Sequence, residues 1–225
     1  MGLPFTRDMT LSPSTPFPSE LGNKLQDWLV WAWEALHGRG FLLVDDFTGD
    51  EVSDTVWRIT AGMTTGNDDV TPRSDSGFGC CIFNPAEGAS HDLRTRLLPA
   101  QNFDFAFYVR IYTKVVNADG PMHVGFASGS EWLYLSTNPT TMKWQYKLES
   151  AAAVDTDVDV VTDRYVDLVA RRTGSDLVLM VDGEEVYAGA FPTFTQDLYF
   201  NLRQLGGTGT TSVSYVDVAK LWVDR

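Results

Sequence analysis

At 225 residues the chain is long enough to bury one large core, or two small ones, without covalent staples. Its net charge of −13 and pI near 4.5 repel phosphate backbones and anionic bilayers, which argues against nucleic-acid and membrane partners. The two cysteines, Cys80 and Cys81, are adjacent, where a mutual bridge would be strained, and no metal-ligand spacing surrounds them. They read as small apolar fillers rather than a disulfide framework.

Residues 1–19 carry Pro4, Pro13, Pro16 and Pro18 among serines and threonines, a composition of an extended arm and not of a helix or central strand. They lack the continuous apolar core of a signal peptide. Asp27, Glu34, Arg39 and two glycines interrupt the most apolar window, 25–44, so no membrane span is expected. Ser19 is placed to cap a helix running to about Leu36 or His37, which Gly38 and Gly40 end. Leu21, Leu25, Trp28, Leu29, Ala32 and Leu36 form one stripe at helical spacing, while Val30, Trp31 and Trp33 fall outside it. So wide an apolar arc calls for cover on more than one side, by the rest of the chain or by a partner subunit. Leu21, Leu25, Trp28, Trp31 and Trp33 are the residues expected to anchor the protein in an assembly.

From residue 41 the pattern changes to short β-type runs: 41–47, 56–59, 77–83, 93–97, 103–114, 122–127, 131–136, 142–148, 165–172, 177–181, 184–189, 198–205 and 211–223. Turn chemistry separates them, with Asp182-Gly183 the strongest hairpin signal. About a dozen short strands in this rhythm predict an all-β, two-sheet sandwich over 41–225, preceded by an arm and helix over 1–40.

Three segments carry a family likeness. Asp45-Asp46-Phe47-Thr48-Gly49-Asp50, with Trp57 behind it, resembles the opening strand and loop of concanavalin-like (laminin-G and glucanase-type) jelly rolls. The stretch 165–191 is similar to that family's meander: Val166, Leu168 and Ala170, a turn at Gly174, then Leu177, Leu179 and Val181, then Asp182-Gly183. The run 213–225 resembles the family's last strand, which lies beside the first. The resemblance covers 41–225 and implies a concanavalin-like jelly roll; fold does not fix function.

Enzymatic members carry E-x-D-x-x-E or E-x-D-x-E on one strand, so that alternate positions bring the carboxylates to one face. No glutamate here has an acidic residue two positions on. Asp155, Asp157 and Asp159 alternate without a glutamate and read as a solvated edge. His37, His91 and His123 are scattered, and no G-x-S-x-G or H-E-x-x-H occurs. The expectation is a non-enzymatic protein without cofactor. Calcium is the alternative the resemblance implies, at Asp45, Asp46, Asp217 and Asp224, although no D-x-D-x-D-G loop supports it. Trp132 and Tyr134 share a parity on one strand, and Trp144 and Tyr146 on the next. Each pair suits either a glycan-stacking face or the sandwich core.

Bacteriophage virions use sandwiches of this family as head-decoration, fibre and tail accessory modules. The resemblance thus implies a structural virion protein, made in the host cytoplasm and held to other virion proteins, as a homo-oligomer such as a trimer. The alternative is a carbohydrate-binding module, or a virion protein that binds a host-surface glycan.

Overall fold

The computed structural model describes residues 41–45, 47, 57–59, 64–66, 80–83, 85, 88–95, 103–116, 120–128, 130–206 and 212–223. The proline-rich arm, the helix and the anchoring residues Leu21, Leu25, Trp28, Trp31 and Trp33 lie outside them.

The described chain is all-β. The first strands are β1 (Phe41–Asp45), β2 (Trp57–Ile59), β3 (Thr64–Gly66), β4 (Cys80–Phe83) and β5 (Ser90–Thr95). Then come β6 (Phe105–Val115), β7 (Met122–Ser128), β8 (Glu131–Asn138), β9 (Lys143–Glu149) and β10 (Val154–Asp159). The last five are β11 (Arg164–Thr173), β12 (Asp176–Val181), β13 (Glu184–Ala190), β14 (Tyr199–Leu205) and β15 (Val213–Val223). They build two antiparallel sheets. One runs β13-β12-β11-β6-β15-β4-β3 with β1 also paired to β15; the other runs β10-β9-β8-β7-β14-β5-β2. The last strand lies beside the first, Phe41 opposite Val223 and Asp45 opposite Ala219.

Alternation places the core. On β11 Val166, Leu168 and Ala170 are buried, and on β12 Leu177, Leu179 and Val181, as a period of two requires. Asp182 and Gly183 both take positive φ, 52° and 83°, the geometry of a tight two-residue hairpin turn whose twist matches its strands. Between the sheets runs a file of rings. Phe105 meets Phe126 at 4.5 Å, Phe126 meets Phe200 at 5.6 Å, Phe200 meets Trp57 at 6.2 Å, and Trp57 stacks on Phe47 at 6.2 Å. Burial of each ring contributes about 2–3 kcal/mol, so this file is a principal bond between the layers. Cys81 is a buried free thiol in the same core.

On the outer face of the larger sheet Arg110 donates Nε to Asp167 Oδ1 at 2.8 Å and Nη2 to Oδ2 at 3.2 Å, and Tyr108 Oη donates to Oδ1 at 2.9 Å. Burial pushes the Asp167 pKa up, but the bonds from Arg110 and Tyr108 outweigh it and hold the carboxyl below its ordinary value.

Two strands lie outside the runs expected from the sequence. Residues 64–66 form β3 against β4. The Asp155–Asp159 run, expected as a solvated edge, belongs to the strand β10. It is the edge of the smaller sheet, with Asp155, Asp157 and Asp159 exposed and Thr156 turned inward to donate to the Trp144 carbonyl at 2.8 Å. Exposed charge on an edge strand discourages further pairing.

Candidate functional site

The outer face of the seven-stranded sheet gathers polar and aromatic side chains that no core requires. Register sets its rows. Gln145, Ser136, His123, Arg203 and Asp92 lie side by side across β9, β8, β7, β14 and β5. One step along the strands, Lys147, Tyr134, Gly125, Asn201 and Arg94 form the next row, continued by Arg58 on β2. Beyond it lie Glu149, Trp132, Ala127 and Tyr199. Gly125 and Ala127 leave the middle of β7 without side-chain bulk. A Cβ on Gly125 would stand 2.1 Å from the Leu133 carbonyl oxygen and 2.7 Å from Tyr134 Cα, so only glycine allows β8 to approach so closely.

The aromatic groups close over this strip. The His123 ring stacks on Tyr134 at 4.5 Å with planes 10° apart, and meets the edge of Trp132 at 6.1 Å. The Arg203 guanidinium reaches Trp132 from two strands away, 5.9 Å from the indole centre. Arg94 lies over Tyr199 at 5.0 Å and donates Nε and Nη2 to Asp92 Oδ2 at 2.8 and 2.5 Å.

Beneath these groups polar atoms stand without hydrogen-bond partners. Asn201 is 4% exposed, and both atoms of its carboxamide are buried and unpartnered. Nδ1 of His123 and Nε of Arg203 share that condition. Each such group forfeits about 1–3 kcal/mol of solvation, and these three residues occupy neighbouring positions on β7 and β14. Burial, reinforced by the Arg203 and Lys147 charges, lowers the His123 pKa to about 3, so the ring is neutral in ordinary conditions. Burial also raises the Tyr134 pKa.

The residues expected to bind glycan divide between the two faces. Trp132 and Tyr134 look outward, opposite Glu149 and Lys147. Trp144 and Tyr146 oppose Thr137 and Leu135 on the inner face; Trp144 is 0% exposed and Tyr146 packs against the core. Those two therefore leave the stacking surface, because β9 pairs with β8 in a register that reverses their parity relative to Trp132. Asn201, Arg203, His123 and Lys147 were missed. They lie on strands distant in sequence, and only the pairing of β7 with β14 and of β8 with β9 unites them.

The expected calcium ligands fare differently. Asp45 uses both oxygens on its own chain, accepting from Phe47 N at 2.9 Å and from the Trp57 indole Nε1 at 2.6 Å. Asp217 is on β15 where the ladder slips between Val216 and Val218, and Asp46 and Asp224 lie outside the described residues. Among the described residues no group of three or more His, Cys, Asp or Glu is arranged to hold a metal.

Carboxylates at the margin of the face serve the fold. Glu131 accepts from Thr195 Oγ1 at 2.7 Å and from its amide, which holds its pKa below the usual range, and Glu149 accepts from Thr193 N at 2.7 Å. Asp92 and Glu149 are four strand spacings apart, about 19 Å across the sheet, and are displaced along the strands as well. The carboxylate pairs of glycosidases stand about 5–9.5 Å apart, so these two do not form one. A separate cleft of about 200 Å³ lies beside β10 and β13, lined by Tyr146, Asp155, Asp157, Glu184 and Glu185 among others. It has no comparable cluster of unpartnered groups.

No protein-family model matches the chain, and no curated protein sequence matches it. Its fold is nonetheless that of solved carbohydrate-active enzymes. It is similar to a Crh5 transglycosylase in complex with NAG (TM-score 0.60, 14% identity, 80% of this chain and 83% of that one). It is similar to a family 16 glycoside hydrolase, an endo-glucanase from Bacteroides ovatus (TM-score 0.58, 12% identity, 80% and 99%). A structure described under endo-acting O-glycanases of the human gut microbiota, which initiate mucin breakdown, matches equally well (TM-score 0.58, 10% identity, 80% and 98%). These likenesses support the concanavalin-like jelly roll. They overturn the expectation of a non-enzymatic phage virion protein, since the structures found are glycosidases and transglycosylases.

Proposed function

We propose that the protein is carbohydrate-active and works on a glycan chain laid across the outer face of the seven-stranded sheet. The observation that carries this reading is the Asn201 carboxamide, buried and unpartnered in the row of Tyr134, from which only the side-chain-free Gly125 separates it. A sugar hydroxyl both donates and accepts, which is what a carboxamide with two empty positions needs. An aromatic ring beside it offers the apolar face against which a pyranose packs. The enzymes of like fold support cleavage or transfer of a glycosidic bond as the reaction class. The outward positions of β8 hold Trp132, Tyr134, Ser136 and Asn138 and carry no carboxylate.

The test measures binding and turnover together. The full chain is titrated calorimetrically with oligosaccharides of β-glucan, chitin and mucin O-glycan type, and the same mixtures are assayed for new reducing ends. N201A should weaken binding at least ~10-fold, the loss of two hydrogen bonds, and reduce any turnover with it. If no glycan binds or reacts, or if N201A binds as the parent does, the reading fails.

A further inference from the structure

The charge on this face is mixed, and its acidic and basic groups are unevenly paired. The chain carries −13; on the described outer face of the seven-stranded sheet Arg58, Arg94, Arg203, Lys143 and Lys147 stand with Asp92 and Glu149 and, on the edge strand β10, with Asp155 opposite Gln145 and Asp159 opposite Lys143. Asp155 accepts from Asn138 and Asp159 pairs with Lys143. Arg94 is neutralised by Asp92. The Glu149 carboxylate is turned to the Thr193 amide. Among the described residues no carboxylate pairs with Arg203 or Lys147.

These two cations bracket the site. Lys147 is the direct neighbour of Tyr134, and Arg203 of His123, so they flank the His123–Tyr134 stack from opposite sides. Both are near enough to act on the His123 ring, which is itself uncharged and adds nothing to the field. Arg203 lies over the Trp132 indole with its Nε shut off from solvent and without an acceptor. A buried guanidinium N–H is strongly disfavoured until an acceptor reaches it, and the acceptors that match its planar fork are the paired oxygens of a carboxylate or a sulfate. The acidic surface elsewhere does not forbid such a ligand. Repulsion decays over a Debye length of about 8 Å at physiological salt, while contacts at hydrogen-bond distance are hardly screened.

We infer that the glycan taken by this face is anionic, its carboxylate or sulfate groups meeting Arg203 and Lys147 on either side of the His123–Tyr134 stack, with the buried Asn201 carboxamide next to Arg203 on β14. The inference rests on the reading of this face as a glycan site and names the class of glycan.

The experiment uses the full chain and matched ligands: cellohexaose, its C6-carboxylate counterpart and its 6-O-sulfate, with the same three forms of laminarihexaose. Calorimetry should give an acidic member at least ~10-fold tighter than its neutral parent, the two acidic forms deciding between uronate and sulfate ester. K147Q and R203Q should each reduce that preference about 3-fold or more, whereas K220Q, on the larger sheet, should leave it intact. Lys147 is partly exposed, so K147Q reads the effect even if R203Q disturbs folding. Neutral members binding as tightly as acidic ones would overturn the inference and leave the glycan reading standing. An acidic preference that survives both variants would also overturn it. Failure of every member to bind would remove both.

Discussion

Trp57 is fully buried in the ring file, and its indole N–H is directed to Asp45, whose other oxygen takes the Phe47 amide. One carboxylate thus fixes the chain's turn out of β1 and the pose of the first core tryptophan. Asp45, the first residue of the Asp-Asp-Phe run, is therefore a structural clasp at the opening of the sandwich. His123 is the contrasting case, a side chain whose burial is carried at a cost. Its folded pKa of about 3 lies below the ordinary 6.5, so the unfolded chain takes up a proton first as pH falls. His123 accordingly contributes full stability above pH 6.5 and loses it progressively toward pH 3. H123Q should flatten the decline by roughly 2–3 kcal/mol between pH 7 and 4.5 in urea-unfolding series, the difference in slope being the readout. His91, whose pKa burial also lowers, keeps its own share of the decline in that variant. Equal slopes in the parent and H123Q would show that the ring is not shielded as described.

At the scale of the element, β7 decides the site. Its inward residues Met122, Val124 and Phe126 build the core, and its outward positions pass from His123 through Gly125 to Ala127. The floor is low because β8 comes within van der Waals limits of Gly125. G125A would drive a methyl group into the Leu133 carbonyl and the Tyr134 Cα, which are backbone atoms that cannot turn aside. The expected loss is ~3 kcal/mol, seen as a lower urea midpoint with unchanged slope. A neutral G125A would mean that β7 and β8 separate freely, and the close floor of the face would no longer stand. By contrast β10, with three exposed aspartates, is built to end its sheet: Asp155 accepts from Asn138 Nδ2 at 2.7 Å and Asp159 pairs with Lys143 at 3.2 Å.

For the whole molecule the governing quantity is charge. Thirty acidic residues face seventeen basic ones, and the imbalance works against compactness through self-repulsion. Raising ionic strength at neutral pH from about 20 to 300 mM shortens the Debye length from roughly 20 to 6 Å and should stabilise the fold. A gain of about 1 kcal/mol, ~2–4 °C in calorimetric Tm, is expected at this length. A fall in Tm would mean that attractive pairs such as Arg110–Asp167 outweigh the net repulsion.

Much of the sandwich was written in the sequence because a period of two and turn chemistry are local properties. Leu177, Leu179 and Val181 face the core where alternation puts them, and Asp182-Gly183 turns where its dipeptide demands. The joining of first and last strands was carried by likeness to a known family. Tertiary structure alone decided the functional face. Trp132 and Trp144 looked equivalent in the chain, and only the register of β8 against β9 sent one outward and the other into the core. Asn201 and Arg203 became neighbours of Gly125 and His123 because β14 pairs with β7. Sequence fixes the parity of a residue within its own strand, whereas pairing between distant strands decides which parities share a face, and a binding surface is made by that sharing.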